Sequence, residues 1–310
     1  MNQPPSVAVA PFFAASIVEA VELGGARATP DPRDASGLIW EDPADPVGLK
    51  RTIAAADPDW VQLPFAGIED FFAAGVIDEG RRWTCAKGIY GLTTAEHAIA
   101  LMLAAARHLP EHFSSKRWRG GDFGAPERTL LGTTIVVVGT GGIGRALATL
   151  LAPWNVELLA VNRGGAPLSG ASHTGTMAEL GEMVGRGNFV VIAAALTRET
   201  VGLFDARMLS KMRSDAWLVN VARGGLVVTD DLVAALKGGS IAGAALDVTD
   251  PEPLPEGHVL WTLPNALITS HVANTRDLGL PLLVEMIRRN VRHYVAGEDL
   301  EGPVDVSLGY

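Results

Sequence analysis

The stretch VVVGTGGIGRALATLLA, residues 136–152, decides the fold. Three β-branched residues run into glycines spaced G-x-G-x-x-G, at Gly139, Gly141 and Gly144, and an apolar helical pattern follows at once. In a strand–loop–helix unit the first such glycine permits a tight turn. The second lets a pyrophosphate approach the backbone, and the third lets helix and strand pack closely. The helix start offers unpaired N–H groups and a partial positive charge to the phosphates. Gly142 and Ile143 fall inside the same expected cradle. The alternative is a tight βα turn with no ligand. The order strand, loop, helix, with a second strand at the right distance, favours a dinucleotide.

Outward from this loop, short apolar runs alternate with helical patterns. The runs are TIVVVG (134–139), VELLAV (156–161), FVVIAAA (189–195), AWLVNVA (216–222), IAGAALDV (241–248) and ALITSH (266–271). They are nearly continuous in apolar residues, as strands buried on both faces are. Helical segments between them are the mark of βαβ units and a parallel sheet. The fold class expected is a doubly wound α/β domain. The first 90 residues read as a smaller unit of the same kind. SVAVAPF and SGLIWED are its strands, SIVEAVELGG a helix closed by Gly, and DWVQLPFAGIEDF a strand, turn and helix. TTAEHAIALMLAAARHL (93–109) has a Thr cap and is apolar almost all round, so it needs cover on more than one side, from a core or a second subunit. SSKRWRGGDFGAPER (114–128) reads as a linking loop. A last helix, LLVEMIRRNVRHYVAG (282–297), is expected to lead the chain back to the first unit.

Bulk properties narrow the function. A chain of 310 residues with 48% hydrophobic and 19% charged residues is a folded protein with room for two cores. A net charge of −10 argues against nucleic acid or an anionic membrane as the main partner, while a local Arg still allows an anionic small substrate. The single cysteine, Cys85, excludes an intrachain disulfide and any cysteine-built zinc site, and fits a cytoplasmic location. No metal site is expected. MNQPPS lacks the basic start of a secretory signal, and the apolar stretch at 98–109 is too short to span a bilayer.

The second strand of this unit, the one that follows the glycines, ends in Asn162 and Arg163, within LLAVNRGG. NAD-binding units carry an acid there for the ribose 2′-hydroxyl. Asn brings no charge to repel a 2′-phosphate, and Arg can grip one with paired donors, so NADP is the preferred cofactor and NAD the alternative. Three further strand ends carry the chemistry. NVARGG puts Arg223 just past a strand, after Val221 and Ala222, and ALDVTDPEPLP supplies Asp247 and Glu252. ITSHVANT supplies His271. An Arg, a carboxylate and a His at one sheet edge suit reduction of a 2-oxo acid. Arg holds the carboxylate and polarises the carbonyl, His gives the proton, and Glu fixes the imidazole ring. Glu96 and His97, in the first turn of their helix, read as structural.

These motifs, with AGIED and TTAEHAIALML, resemble the D-2-hydroxyacid dehydrogenase family, which includes glyoxylate/hydroxypyruvate reductases. The resemblance runs from about residue 60 to the C-terminus. It implies that Arg223, Glu252 and His271 are catalytic and that Asp247, Val221 and Ala222 contact the cofactor. It also implies that the backbone at Phe65, Ala66, Gly67 and Ile68 holds the substrate carboxylate with Arg223. Further, it implies a Rossmann nucleotide domain (95–281) inserted into a smaller flavodoxin-like α/β substrate domain (1–94 and 282–310), and a homodimer. Gly142 stands where the family often has a basic residue, and Asn274 where a Gly is common. A dinucleotide-sensing protein without turnover, or an enzyme for formate or phosphite, is the rival reading.

Overall fold

The computed structural model describes residues 4–118 and 127–309. Most of the expected linking loop, and the first three residues, lie outside the described residues. The chain forms two compact units, one running to Tyr90 and resuming at Arg276, the other spanning Gly91–Thr275.

The first unit is built on five parallel strands: β1 (Ser6–Ala10), β2 (Arg27–Thr29), β3 (Gly37–Trp40), β4 (Trp60–Gln62) and β5 (Arg82–Thr84). Their order is β2-β1-β3-β4-β5, the flavodoxin-like arrangement. Successive side chains point to opposite faces, so each strand feeds two cores. Val7, Val9 and Ile39 pack with Ile287 and Val291, while Ala8, Leu38 and Trp40 pack with Leu49 and Phe71. Helices α1 (Ala15–Leu23), α2 (Pro46–Ala56) and α3 (Glu69–Ala73) belong to this unit.

The second unit opens with helices α4 (Gly91–Ala106) and α5 (Leu109–Ser114). Its strands are β6 (Thr134–Val138), β7 (Glu157–Asn162), β8 (His173–Thr176), β9 (Phe189–Ile192), β10 (Trp217–Asn220), β11 (Gly243–Leu246) and β12 (Ala266–Ile268). All pair in parallel, in the order β12-β11-β10-β9-β6-β7-β8. Between them lie α6 (Gly142–Leu151), α7 (Leu180–Met183), α8 (Ala206–Leu209) and α9 (Thr229–Gly238). This is the doubly wound sheet expected from the apolar runs. The strand order reverses between β6 and β9, which is where such sheets bind ligands. Val136, Val138, Leu159 and Val161 face one core and Ile135, Val137, Leu158 and Ala160 the other. Helix α4 sinks Ala95, Ala98, Met102 and Ala105 into the second of these cores.

The chain returns to the first unit through α10 (Arg276–Ala296), which starts six residues before the expected Leu282. Pro281 is the sixth residue of this helix, where its missing N–H forfeits one bond to the Asp277 carbonyl. Strands β2, β5 and β8 escape a reading of apolar runs because each is a short sheet edge with polar residues, RAT, RWT and HTGT. No helix among the described residues is long and apolar enough to cross a membrane.

Candidate active site

The glycine loop lies at the carboxyl end of β6, at the reversal point. Gly139 adopts φ +107°, and a Cβ there would come within 2.5 Å of the Ala193 carbonyl oxygen beyond β9. A Cβ on Gly144 would overlap the Gly139 carbonyl, so these two glycines let loop, helix and strand close together. Gly141 differs, since its missing Cβ opens on empty space. Helix α6 starts one residue later, with its first N–H groups directed at that space. This cradle fits a dinucleotide pyrophosphate.

At the tip of β7 the Asn162 amide organises its own loop. Oδ1 accepts from the N–H groups of Gly164 and Ala166, both at 3.1 Å. Nδ2 donates to the Ala166 carbonyl at 2.8 Å and to Thr140 Oγ1 at 3.1 Å, tying this loop to the glycine loop. Arg163 is half exposed, with Nε 3.7 Å from Glu199 Oε2.

The remaining groups sit beyond β10, β11 and β12. Asn220 pairs with Leu246, and Leu246 with Ile268, so Arg223 and His271 each lie three residues past one line across the sheet. With β11 between them, their backbones start about 10 Å apart. The buried Asn220 staples the first of these loops. It donates to the Arg223 carbonyl at 2.9 Å and accepts from the Ala222 N–H at 3.1 Å. Val221 and Ala222 are buried beside it. Arg223 Nη1 donates to the Ala222 carbonyl at 2.7 Å. On the neighbouring loops, His271 Nδ1 and Glu252 Oε1 are 2.5 Å apart and both side chains are partly open to solvent. With Nδ1 engaged, Nε2 is the nitrogen that can serve a substrate.

Asp247 is only 2% exposed. Oδ1 accepts from Thr269 Oγ1 at 2.6 Å and the Val272 N–H at 2.9 Å, and Oδ2 from the Ala273 N–H at 2.9 Å. His97 Nε2 lies 3.4 Å from Oδ1. Burial pushes the carboxyl pKa up, but the bonds from His97, Thr269, Val272 and Ala273 together outweigh it and hold the group below the usual Asp range. The His271 N–H donates to the Asp247 carbonyl at 2.7 Å, so this residue hangs the whole His271 loop on the sheet.

In the first unit the loop after β4 exposes Phe65 and Ala66 and buries Ile68, with Gly67 between. The Phe65 carbonyl accepts from the Ala86 N–H, and the Ile68 carbonyl from Phe71 and Phe72. Beneath it, the fully buried Gln62 accepts from Thr84 Oγ1 and from Asn290 Nδ2 of α10, both at 2.8 Å, and donates to the Leu63 carbonyl. Nothing in the sequence reading pointed to Gln62, Asn290, Asn220 or Thr269. The available signal was a polar residue at the end of an apolar strand run, as in WVQ and WLVN. Among the described residues, no cluster of three or more His, Cys, Asp or Glu side chains is placed to hold a metal ion.

Comparison with known proteins identifies the family. Residues 99–273, more than half of the chain, match the model of the D-isomer specific 2-hydroxyacid dehydrogenase NAD binding domain. A protein of Corynebacterium melassecola described only by its position 3′ of proB is 38% identical, covering 97% of this chain and 98% of its own. The mouse glyoxylate reductase/hydroxypyruvate reductase is 33% identical over 67% of this chain, and the match spans 65% of the mouse protein's length. A D-isomer specific 2-hydroxyacid dehydrogenase from Xanthobacter autotrophicus Py2, solved with NADPH and MES, superposes with a TM-score of 0.84 at 25% identity, over 99% of this chain and 100% of that one. The chain therefore belongs to the D-isomer specific 2-hydroxyacid dehydrogenase family. It is an oxidoreductase of the class acting on CH–OH donors, with an NAD(P)-binding domain.

Proposed function

We propose that this protein reduces small 2-oxo acids, such as glyoxylate or hydroxypyruvate, to 2-hydroxy acids, with NADP(H) preferred over NAD(H). The observation that carries the reading is the His271–Glu252 pair at the same sheet edge as Arg223. Gly139, Gly141, Gly142, Ile143 and Gly144 would hold the dinucleotide, which when bound would supply the hydride for C2 of the substrate. His271 delivers the proton to the carbonyl oxygen from Nε2, while Glu252 holds the ring through Nδ1. Arg223 and the backbone of Phe65–Ile68 bind the carboxylate, and the guanidinium stabilises negative charge developing on the oxygen. Val221 and Ala222 wall the cofactor. Asp247 keeps one Oδ2 lone pair for a cofactor donor while its other bonds hold the loop. Arg163 takes the 2′-phosphate, and Asn162 shapes the loop that presents it.

The reading includes a homodimer in the cytoplasm. An apolar groove of about 400 Å³, lined by Leu101, Pro110, Trp261 and Ile268 among others, supports the dimer, and light scattering on the purified protein checks it. Cys85 is buried, which pushes its thiol up to about 11.

The decisive experiment follows NADPH and NADH absorbance with glyoxylate, hydroxypyruvate and phenylpyruvate. Turnover of at least one oxo acid, faster with NADPH, is expected. Tight NADPH binding with no turnover of any of them removes the enzyme reading in favour of a dinucleotide sensor.

A further inference from the structure

We infer that His97 is a positioning residue for His271, acting from helix α4 through Thr269 and Asp247; the inference rests on His271 being the proton donor proposed above. The hydrogen-bond donors can be assigned by elimination. An ionised Asp247 only accepts, so the single hydroxyl proton of Thr269 points at Oδ1, 2.6 Å away. The other contact of that hydroxyl, 3.0 Å to His97 Nε2, must then run in the opposite direction, with Nε2–H donating. The same Nε2–H lies 3.4 Å from Asp247 Oδ1. His97 thus needs its proton on Nε2 and uses it to brace the side chain from which the His271 loop hangs.

That loop has reason to need bracing. His271 sits at φ +54°, in the left-handed region that is unfavourable for a residue with a Cβ. Its own N–H and those of the next two residues all end on Asp247. His97 reaches this cluster from a separate element. Four residues earlier on the same face of α4, Thr93 Oγ1 donates to Asn274 Oδ1 at 2.9 Å. The Asn that stands where relatives commonly have Gly is therefore a second tie between helix and loop. The head of α4 also meets the cofactor cradle, because a Cβ on Gly91 would come within 2.5 Å of the Gly142 carbonyl. One rigid helix touches the phosphate loop at its first residue and the acid loop at its third and seventh. It sets the spacing between the two.

The test replaces His97 by Phe, which keeps the bulk, and by Gln, which keeps an N–H donor. His97→Phe should lower kcat about tenfold or more, with KM for NADPH changed less than about twofold, and His97→Gln should recover most of kcat. A folded His97→Phe with kcat within about twofold of the parent overturns the proposal, as does a Gln variant no faster than Phe. Should His97→Phe not fold, Thr269→Val removes the hydroxyl through which the imidazole acts and carries the same expectation. A second readout is independent of turnover: the ring signals of His271 in ¹⁵N-histidine-labelled protein, assigned with His271→Ala. They should move in His97→Phe and stay put in His173→Gln, a change at the exposed edge strand β8. Unmoved signals overturn the positioning role. Moved signals in a protein that reduces no oxo acid would remove the proposed activity and leave the positioning role standing.

Discussion

At the end of β11, Asp247 is buried and takes hydrogen bonds from a side chain and two backbone N–H groups of the loop that carries His271. At the end of β7, in the same sheet, Arg163 is half exposed and its carboxylate neighbour Glu199 stands 3.7 Å off in solvent. The first arrangement is compensated before any ligand arrives, because an uncompensated carboxylate in that position would cost several kcal/mol. The second includes a surface ion pair, a kind of contact whose typical worth is about 0–1 kcal/mol. Chemistry that must hold one geometry is braced from inside. On the proposed reading, selectivity between cofactors is left to groups a ligand can recruit.

The sharpest test of the braced side is His271→Ala. Loss of a general acid costs about 10²–10⁴-fold, so kcat should fall by about 10³ while NADPH affinity, measured by fluorescence titration, stays within about twofold. Near-normal kcat would remove His271 as the acid and the purpose of the bracing with it.

Asp247→Asn addresses the brace itself. An Asn amide turned to accept from Thr269 and Val272 presents its NH₂ to the Ala273 N–H, leaving buried donors face to face. The expected loss is about 2–3 kcal/mol of stability, read from urea unfolding. The pH dependence has a definite sign. The native carboxyl is held below its unfolded value, so its contribution is complete above the unfolded pKa, about 4, and is lost as pH falls through the lower native value. The variant should therefore lose less stability than the parent between pH 5 and acid, by roughly the same few kcal/mol. Equal acid sensitivity in the two proteins would mean Asp247 is not the anchor its contacts describe.

The two regions were also unequally legible in the sequence. The glycine loop could be read because two of its glycines answer local demands, a positive φ at Gly139 and a close approach at Gly144, that no other residue meets. The apolar runs gave the doubly wound sheet because strands buried on both faces leave little choice of side chain. The strand ends carrying Arg223, Asp247, Glu252 and His271 stood out for the same reason, as polar residues closing apolar runs. The brace was hidden. His97 and Thr269 are 172 residues apart, and Gln62 and Asn290 are 228 apart, so no spacing along the chain could pair them. The role of Asn162 was obscured differently. In sequence it reads as part of the cofactor site, and the structure shows its amide engaged by Thr140, Gly164 and Ala166.

On the recruitable side, Arg163→Ala should raise KM for NADPH about tenfold, the low end for a charge-assisted bond because the guanidinium is half in solvent. KM for NADH should stay within about twofold, since NADH lacks the phosphate. If both rise together, Arg163 supports the loop and does not select the cofactor.

The smallest effect, and the one that separates pairing from mere proximity, is expected of Glu199→Gln. Its side chain is 75% exposed, so the carboxylate is well hydrated and little stability depends on it. Removing its charge deprives Arg163 of a competing anion and removes repulsion of a 2′-phosphate at the same spot. Both changes favour NADPH, and a gain of about 0.5 kcal/mol corresponds to a KM about twofold lower. The gain should shrink as salt rises from 20 to 500 mM, because the Debye length falls from roughly 20 Å to about 4 Å. KM for NADH should not respond to either change. A higher KM for NADPH in the Gln variant would mean that Glu199 orients Arg163 for its ligand, and that this edge too is braced before the cofactor arrives.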